Sequence, residues 1–265
     1  MRPPVIAALA ALALFVAACG DDDADDAATT TSETTTSSTT TSTTTTSTST
    51  TTTTAAPTTT SSSTCSDSPL PGDAADTTTA PADLDGDGTD DTVTSYRVGP
   101  ADAPEWHLHA QLTSGGGADL TLPAPTGPSD QRVLGGSDAN ENGTDEVWVK
   151  VGAGASAQIV SMFVLDDCDL VQVTLDGGGP AEFPVGGSIG TVGGVYCADE
   201  EGDGTRDVVV ASATQATGSD YEAKVEVHHL VGTDLQFAFG DAGGVDAESS
   251  DFARFTQLDC DDAQL

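Results

Sequence analysis

Short runs of β-branched and aromatic residues, broken by glycine and aspartate, recur along the chain between residues 92 and 237. Three leading runs lie at 92–98, 147–151 and 208–210. A second run follows each, at 106–112, 159–165 and 224–230. A third comes after a turn, at 119–122, 169–173 and 234–237. Such residues fit a pleated, half-buried surface, so these runs are predicted strands. Alternation of Val225, Val227 and His229 with Glu226 and His228 predicts half-buried antiparallel strands. No segment combines a helical period with caps, and the predicted fold class is all-β.

Each group of runs is preceded by the same nine-residue acidic loop, at 83–91, 138–146 and 199–207. Oxygen-bearing side chains stand at the first, third, fifth and ninth positions: Asp83, Asp85, Asp87 and Asp91; Asp138, Asn140, Asn142 and Glu146; Asp199, Glu201, Asp203 and Asp207. Glycine occupies the sixth position, where a sharp reversal needs positive φ, and threonine (Thr89, Thr144, Thr205) the seventh. A hard cation such as calcium takes about six to eight oxygen ligands, and alternate residues of a tight turn can point that many inward. One copy alone would pass as a solvated acidic turn, but three copies with the same gaps, glycine and threonine predict up to three Ca2+ sites. An EF-hand or dockerin is excluded, because each needs a carboxylate at the twelfth position and a helix after it. That position holds Thr94, Val149 and Val210, each within a predicted strand.

The loops begin at 83, 138 and 199, periods of 55 and 61 residues, which suit a four-stranded unit. Together with the stretches 207–213 and 151–154, and more loosely 98–100, the loops resemble the FG-GAP/VCBS repeat superfamily, which includes the calcium-binding blades of integrin α-subunit propellers. The resemblance covers most of residues 83 to 260. It implies that the side chains at the first, third, fifth and ninth positions, with the seventh carbonyl (Thr89, Thr144, Thr205), ligate calcium. Glu201 is an unusual third residue. The implied fold is a propeller-like array of about three four-stranded antiparallel blades. Three is fewer than the four to eight usual in a closed propeller. The first unit shows no strand signal ahead of its loop, whereas the third has 191–197. The tail at 255–261 is expected to supply the missing strand by closing onto the first unit; the alternative is an open, curved stack.

Composition divides the chain into three parts. Residues 1–18 read as a signal segment, whose apolar run is too short to span a bilayer. Val16-Ala17-Ala18-Cys19 resembles the lipobox of bacterial lipoproteins, with Cys19 as the lipidated residue and the lipid as the membrane anchor. Residues 19–64 are acidic and then almost wholly Ser and Thr, too polar to offset chain entropy, and read as a disordered linker. A flexible tether of that length spans about 35–40 Å r.m.s., and its composition suits O-glycosylation. Residues 65–265 form the predicted domain, with 37 of the 43 acidic residues and six of the seven Lys and Arg. That balance argues against nucleic acid and anionic membrane surfaces as partners of the domain, because both would repel it. Cys65, Cys168, Cys197 and Cys260 form an even set in an exported chain, hence two disulfides. Their positions favour Cys65–Cys260 as a clasp across the domain ends and Cys168–Cys197 between the second and third loops.

Catalytic signals are weak. Gly186-Gly187-Ser188-Ile189-Gly190 matches Gly-x-Ser-x-Gly, with Asp220 and His228 following in hydrolase order, but the motif needs a helix after the serine and 191–197 reads as strand. His107 and His109 share a strand face near Glu105 without a third ligand fixed by the sequence, and are expected to be exposed beside inward Trp106 and Leu108. The expected function is a lipid-anchored, calcium-stabilised β-domain on the extracytoplasmic face of a bacterial membrane. It is read as a non-enzyme with a binding or envelope-structural role, and a surface protein or glycan as ligand. The alternative is an envelope hydrolase or carbohydrate-active protein that uses the loops as scaffold. Oligomeric state has no signature in the sequence.

Overall fold

The computed structural model describes residues 65–265 apart from 126, 128 and 189. The signal segment, Cys19 and the linker lie outside the described residues. The domain is all-β, in two sheets whose pairing is antiparallel except for the short parallel contacts of Thr174–Leu175 with 234–235 and of Leu258–Cys260 with 195–196. The first sheet runs in chain order through β1 (Ala75–Ala82), β2 (Asp91–Val98), β3 (Glu105–Gln111) and β4 (Gly117–Thr121). The second begins with β5 (Arg132–Ser137), β6 (Glu146–Ala153), β7 (Ala157–Asp166) and β8 (Asp169–Gln172), again each antiparallel to the last.

After β9 (Thr174–Leu175), β10 (Glu182–Ser188) pairs with the first half of β7 and leads into a further meander. This comprises β11 (Thr191–Ala198), β12 (Asp207–Thr217), β13 (Asp220–Val231) and β14 (Asp234–Asp246). A 3-10 helix (Ser250–Phe255), β15 (Leu258–Cys260) and β16 (Ala263–Gln264) follow. The predicted strands at 92–98, 147–151, 208–210 and their successors fall on these elements, with Leu112, Leu122 and Val173 one residue past the ends of β3, β4 and β8. Neither sheet closes on itself among the described residues.

The burial of β6 explains how the layers join. Val147 and Val149 enter one core with Val93, Leu108 and Phe163, while Trp148 between them enters another with Met162, Val195, Val208 and Leu258. Successive strand residues point to opposite faces, so a run that is apolar at every position reads as a strand buried on both sides. Trp148 is fully buried and its indole N–H donates to Ser137 Oγ at 3.0 Å, which satisfies the one polar atom it carries inside. Truncating such a residue costs about 3–5 kcal/mol.

Three expectations are corrected. The first unit does have a strand ahead of its loop: β1, sequence Ala-Asp-Thr-Thr-Thr-Ala-Pro-Ala, pairs with β2 from Ala75↔Arg97 to Ala82↔Asp91. Its threonines continue the linker's composition, and Pro81 is tolerated because β1 is a sheet edge. The tail does not close onto the first unit. Phe255 ends the 3-10 helix, and β15 lies parallel to β11 through Val195↔Leu258 and Tyr196↔Asp259. Gly194 permits this, since a Cβ there would stand 2.1 Å from Arg254 O.

The cysteine pairing differs as well. The disulfides are Cys65–Cys168 and Cys197–Cys260, not Cys65–Cys260 and Cys168–Cys197. The β11–β15 register sets Cys260 beside Cys197 as the next partners in line. Gly117 N donates to Ser66 O at 3.0 Å, tying the start of the domain to β4 and so bringing Cys65 to the β7–β8 turn that carries Cys168. Two disulfides mark an oxidising, extracytoplasmic environment. No helix among the described residues is long and apolar enough to cross a membrane.

Candidate metal centre

Each acidic loop connects the first and second strands of a meander: β1 to β2, β5 to β6, and β11 to β12. The three share one internal hydrogen-bond scheme. The first carboxylate accepts the amides of the fifth and sixth residues: Asp83 from Asp87 and Gly88 (3.1 and 2.9 Å), Asp138 from Asn142 and Gly143 (3.0 and 2.9 Å), Asp199 from Asp203 and Gly204 (3.1 and 3.0 Å). The fifth side chain accepts the seventh amide: Asp87 from Thr89 (2.8 Å), Asn142 from Thr144 (2.8 Å) and Asp203 from Thr205 (2.9 Å). The ninth carboxylate accepts the second amide: Asp91 from Leu84 (3.1 Å), Glu146 from Ala139 (2.8 Å) and Asp207 from Glu200 (3.2 Å).

This wrapping needs left-handed backbone twice. Gly88, Gly143 and Gly204 at the sixth position have φ of 84°, 90° and 88°, as the sequence pattern requires. The fourth position is left-handed too, at Gly86, Glu141 and Gly202 (φ 69°, 56° and 70°). The glycines at two of these three positions were the available signal; Glu141 masks it in the second loop. A non-glycine residue there costs about 1–2 kcal/mol.

The ninth carboxylates are buried: Asp91, Glu146 and Asp207 are 1%, 2% and 1% exposed. Burial pushes the Asp91 carboxyl up against the amide hydrogen bonds that lower it. It pushes Glu146 further, to about 8, with Asp138 and Asp145 adding repulsion. Buried carboxylates favour the neutral form unless a positive charge or enough donors offset desolvation.

The loops differ in how their oxygens converge. In loop one, Asp83, Asp85 and Asp91 place ligand atoms within 4.8 Å of one another, the one such group of three among the described residues. Side chains from the β3–β4 turn brace it: Thr113 donates to Asp91 through both N (2.8 Å) and Oγ1 (3.2 Å), and Ser114 Oγ to Asp85 at 2.5 Å. Loop two has two carboxyl-bearing candidates, Asp138 and Glu146, with Asn140 and Asn142 as neutral oxygens. In loop three Glu201 turns to His229, which lies between Glu201 Oε2 (3.3 Å) and Asp207 Oδ1 (2.8 Å). The donor set of loop one therefore fits a hard cation as it stands. Loop two offers oxygen donors with half the charge, and loop three requires Glu201 to leave His229. Thr113, Ser114 and His229 were not legible as loop partners in the sequence.

Neighbouring loops also touch. Asp145 and Asp83 exchange two hydrogen bonds, and Arg206 Nη1 donates to Asp138 O at 3.4 Å. The eighth residue of one loop thus reaches the first residue of the loop before it.

The other candidates separate. Ser188 ends β10 and pairs with Thr191 of β11, a hairpin where a nucleophile elbow requires a helix. His107 lies between Glu105 (3.1 Å) and Asp119 (3.0 Å) and stacks on Tyr96, whose hydroxyl donates to Asp119 at 2.6 Å. His109 is buried, against expectation, and burial lowers its pKa. His228 is buried where a bulge between Val227 and His228 breaks the alternation of β13. No family model matches the chain, and no curated protein or solved structure matches it.

Proposed function

We propose that this chain is a lipid-anchored, extracytoplasmic β-domain stabilised by calcium in up to three loops, with a binding or envelope-structural role. The supporting observation is the shared loop scheme, in which a buried ninth carboxylate faces further oxygen donors, densest at Asp83, Asp85 and Asp91. Asp83, Asp85, Asp87, Asp91 and the Thr89 carbonyl would hold the ion in loop one. Asp138, Asn140, Asn142, Thr144 and Glu146 would do so in loop two, and Asp199, Glu201, Asp203, Thr205 and Asp207 in loop three. Bound calcium supplies positive charge that offsets carboxylate repulsion and couples metal binding to folding.

Three successive four-strand meanders, each with its loop in the same place, support a propeller-like reading with three blades. The pairing of β15 with β11 favours the open form of that array. Cys19 would carry the lipid, and the 19–64 linker would hold the domain away from the bilayer. The excess of 43 acidic over seven basic residues disfavours nucleic acid and suits a surface protein or a glycan as partner. Calorimetric titration of the metal-free protein with calcium tests the reading. Asp85→Asn should remove the tightest binding event, and retention of that event would place the strongest site elsewhere.

A further inference from the structure

A strand edge that nothing covers exposes a row of backbone N–H and C=O groups able to pair with another chain. The edges of the first sheet are covered: β4 lies beside β8, and β1 beside β5. β14 is different. It runs for 13 residues, and on its outer side β9 pairs only with Asp234 and Leu235. Asp176, just after β9, extends that cover slightly. Its amide donates to Leu235 O at 2.9 Å, and its carboxylate accepts Phe237 N at 2.9 Å. From Ala238 to Asp246 no strand among the described residues lies on the outer side.

The ladder with β13 fixes which groups face outward. Antiparallel pairs alternate between those that exchange backbone hydrogen bonds and those that do not, and the latter turn theirs away from the partner strand. Leu235 and Phe237 are outward, as their bonds to Asp176 show. Beyond the bulge at Val227/His228 the outward residues are Gly240, Ala242 and Gly244, opposite Glu226, Lys224 and Glu222. Ala242 N donates to the carboxylate of its neighbour Asp241 at 2.8 Å, which does for it what Asp176 does for Phe237. Lysine and proline, which guard natural edges against pairing, do not occur in 238–246.

Charge and side-chain size narrow the occupant. The three outward residues carry at most a methyl group, so the side chains of an added strand can cross them to the β13 row beyond. That row is Asp220, Glu222, Lys224 and Glu226, and Lys224 is already paired with Glu226 at 2.6 Å. Adjacent strands lie about 4.8 Å apart, so an added strand runs about 9.6 Å from β13, a gap that a glutamate and a lysine or arginine span together. A groove of about 620 Å3 over Gly240 and Ala242, bordered by Glu222, Glu226 and Phe237, gives the aliphatic stem of such a side chain its room. The half-exposed Phe237 ring lies 3.6 Å from where a Gly240 Cβ would stand and supplies an apolar wall. The opposite face is already covered, since Phe252 and Phe255 of the 3-10 helix pack there with Ala211, Ala213 and Tyr221. A second copy of β14 would bring its own Asp241 and Asp246 to the seam, and like charge opposes it.

We infer that the outer edge of β14 takes an extended segment of a partner protein as an added strand, one with lysine or arginine at alternate positions. The backbone of that segment pairs with Gly240, Ala242 and Gly244, and its basic side chains cross these small residues to Glu222 and Glu226. This names a partner class for the binding role proposed above. No acidic-loop residue borders the edge, so the site and the calcium reading fail in different experiments.

Fluorescence anisotropy of a labelled short peptide alternating arginine and valine, titrated with the full chain, tests it. The controls are the same peptide with every second backbone amide N-methylated, and its glutamate–valine counterpart. The arginine–valine peptide should bind saturably at a single site per chain. N-methylation keeps the charge but blocks strand pairing, and should weaken binding by about tenfold or more. The glutamate peptide should not bind. Glu222→Lys, at an exposed position, and Ala242→Pro, which removes the central outward amide, should each weaken the arginine peptide by about tenfold. The wild-type peptide series and Glu222→Lys decide the matter even if Ala242→Pro fails to fold. No saturable binding, equal binding of the N-methylated peptide, or binding of the glutamate peptide would overturn the assignment. So would a dimer in sedimentation velocity that Ala242→Pro abolishes, since the edge would then belong to a second copy.

Discussion

Asp83 and Asp145 hold each other by two hydrogen bonds: Asp83 N donates to Asp145 Oδ2 at 2.8 Å, and Asp145 N donates to Asp83 O at 2.7 Å. The first residue of loop one and the eighth of loop two are thereby joined, so ordering one loop helps order the other. Asp145→Ala leaves the Asp83 amide without its acceptor and should lower stability by about 1–3 kcal/mol. Asp145→Asn keeps an acceptor oxygen and should cost less. Urea denaturation of the two variants reads the difference, and equal stability of Asp145→Ala and wild type would show that the link contributes nothing.

Glu146 gives the metal-free protein a pH dependence of definite sign. In the unfolded chain its carboxyl ionises near 4.5, while in the fold burial holds it up to about 8. Between those values the folded protein keeps a proton that the unfolded chain has released. Stability is then full below about pH 4.5, falls as pH rises towards 8, and levels off above, a change on the order of a few kcal/mol. Melting in chelator from pH 5 to pH 8 should show that fall, and Glu146→Gln should remove most of it. A flat profile in the wild type would contradict a carboxyl buried without a compensating positive charge.

Non-reducing peptide mapping should recover Cys65 joined to Cys168 and Cys197 joined to Cys260. Replacing Cys197 and Cys260 together by Ala should cost about 2–5 kcal/mol and loosen β15 from β11. Recovery of Cys65 joined to Cys260 would restore a closed ring and overturn the strand order given above.

What the sequence could tell depended on distance along the chain. The loops were legible because oxygen donors, glycine and threonine lie within nine residues and recur. The strands after each loop were legible from β-branched runs such as Val208-Val209-Val210. β1 was not, since a threonine-rich edge strand with Pro81 has the composition of the linker before it. The cysteine partners were not, because a parallel pairing between β11 and β15, 63 residues apart at Cys197 and Cys260, decides them. Thr113 and His229 each meet a ninth carboxylate from 22 residues away, through strand register that no local pattern carries.

The proposed anchor at Cys19 has its own test. Cys19→Ser should release the protein from the membrane fraction or leave its signal segment uncleaved. Mass spectrometry of the wild-type protein should find a lipid on Cys19, and an unlipidated mature N-terminus would rule the anchor out.

Thermal melting near pH 7 in calcium and in chelator tests the central claim most directly. A site loaded to about a hundred times its dissociation constant adds about 2.7 kcal/mol. For a domain of this size each kcal/mol moves the melting temperature by about 2–4 °C, so one loaded loop should raise it by about 5–10 °C. Asp91→Asn should reduce that rise while changing the melting temperature in chelator much less. A melting temperature that is the same in calcium and in chelator would contradict calcium as a structural element of this fold.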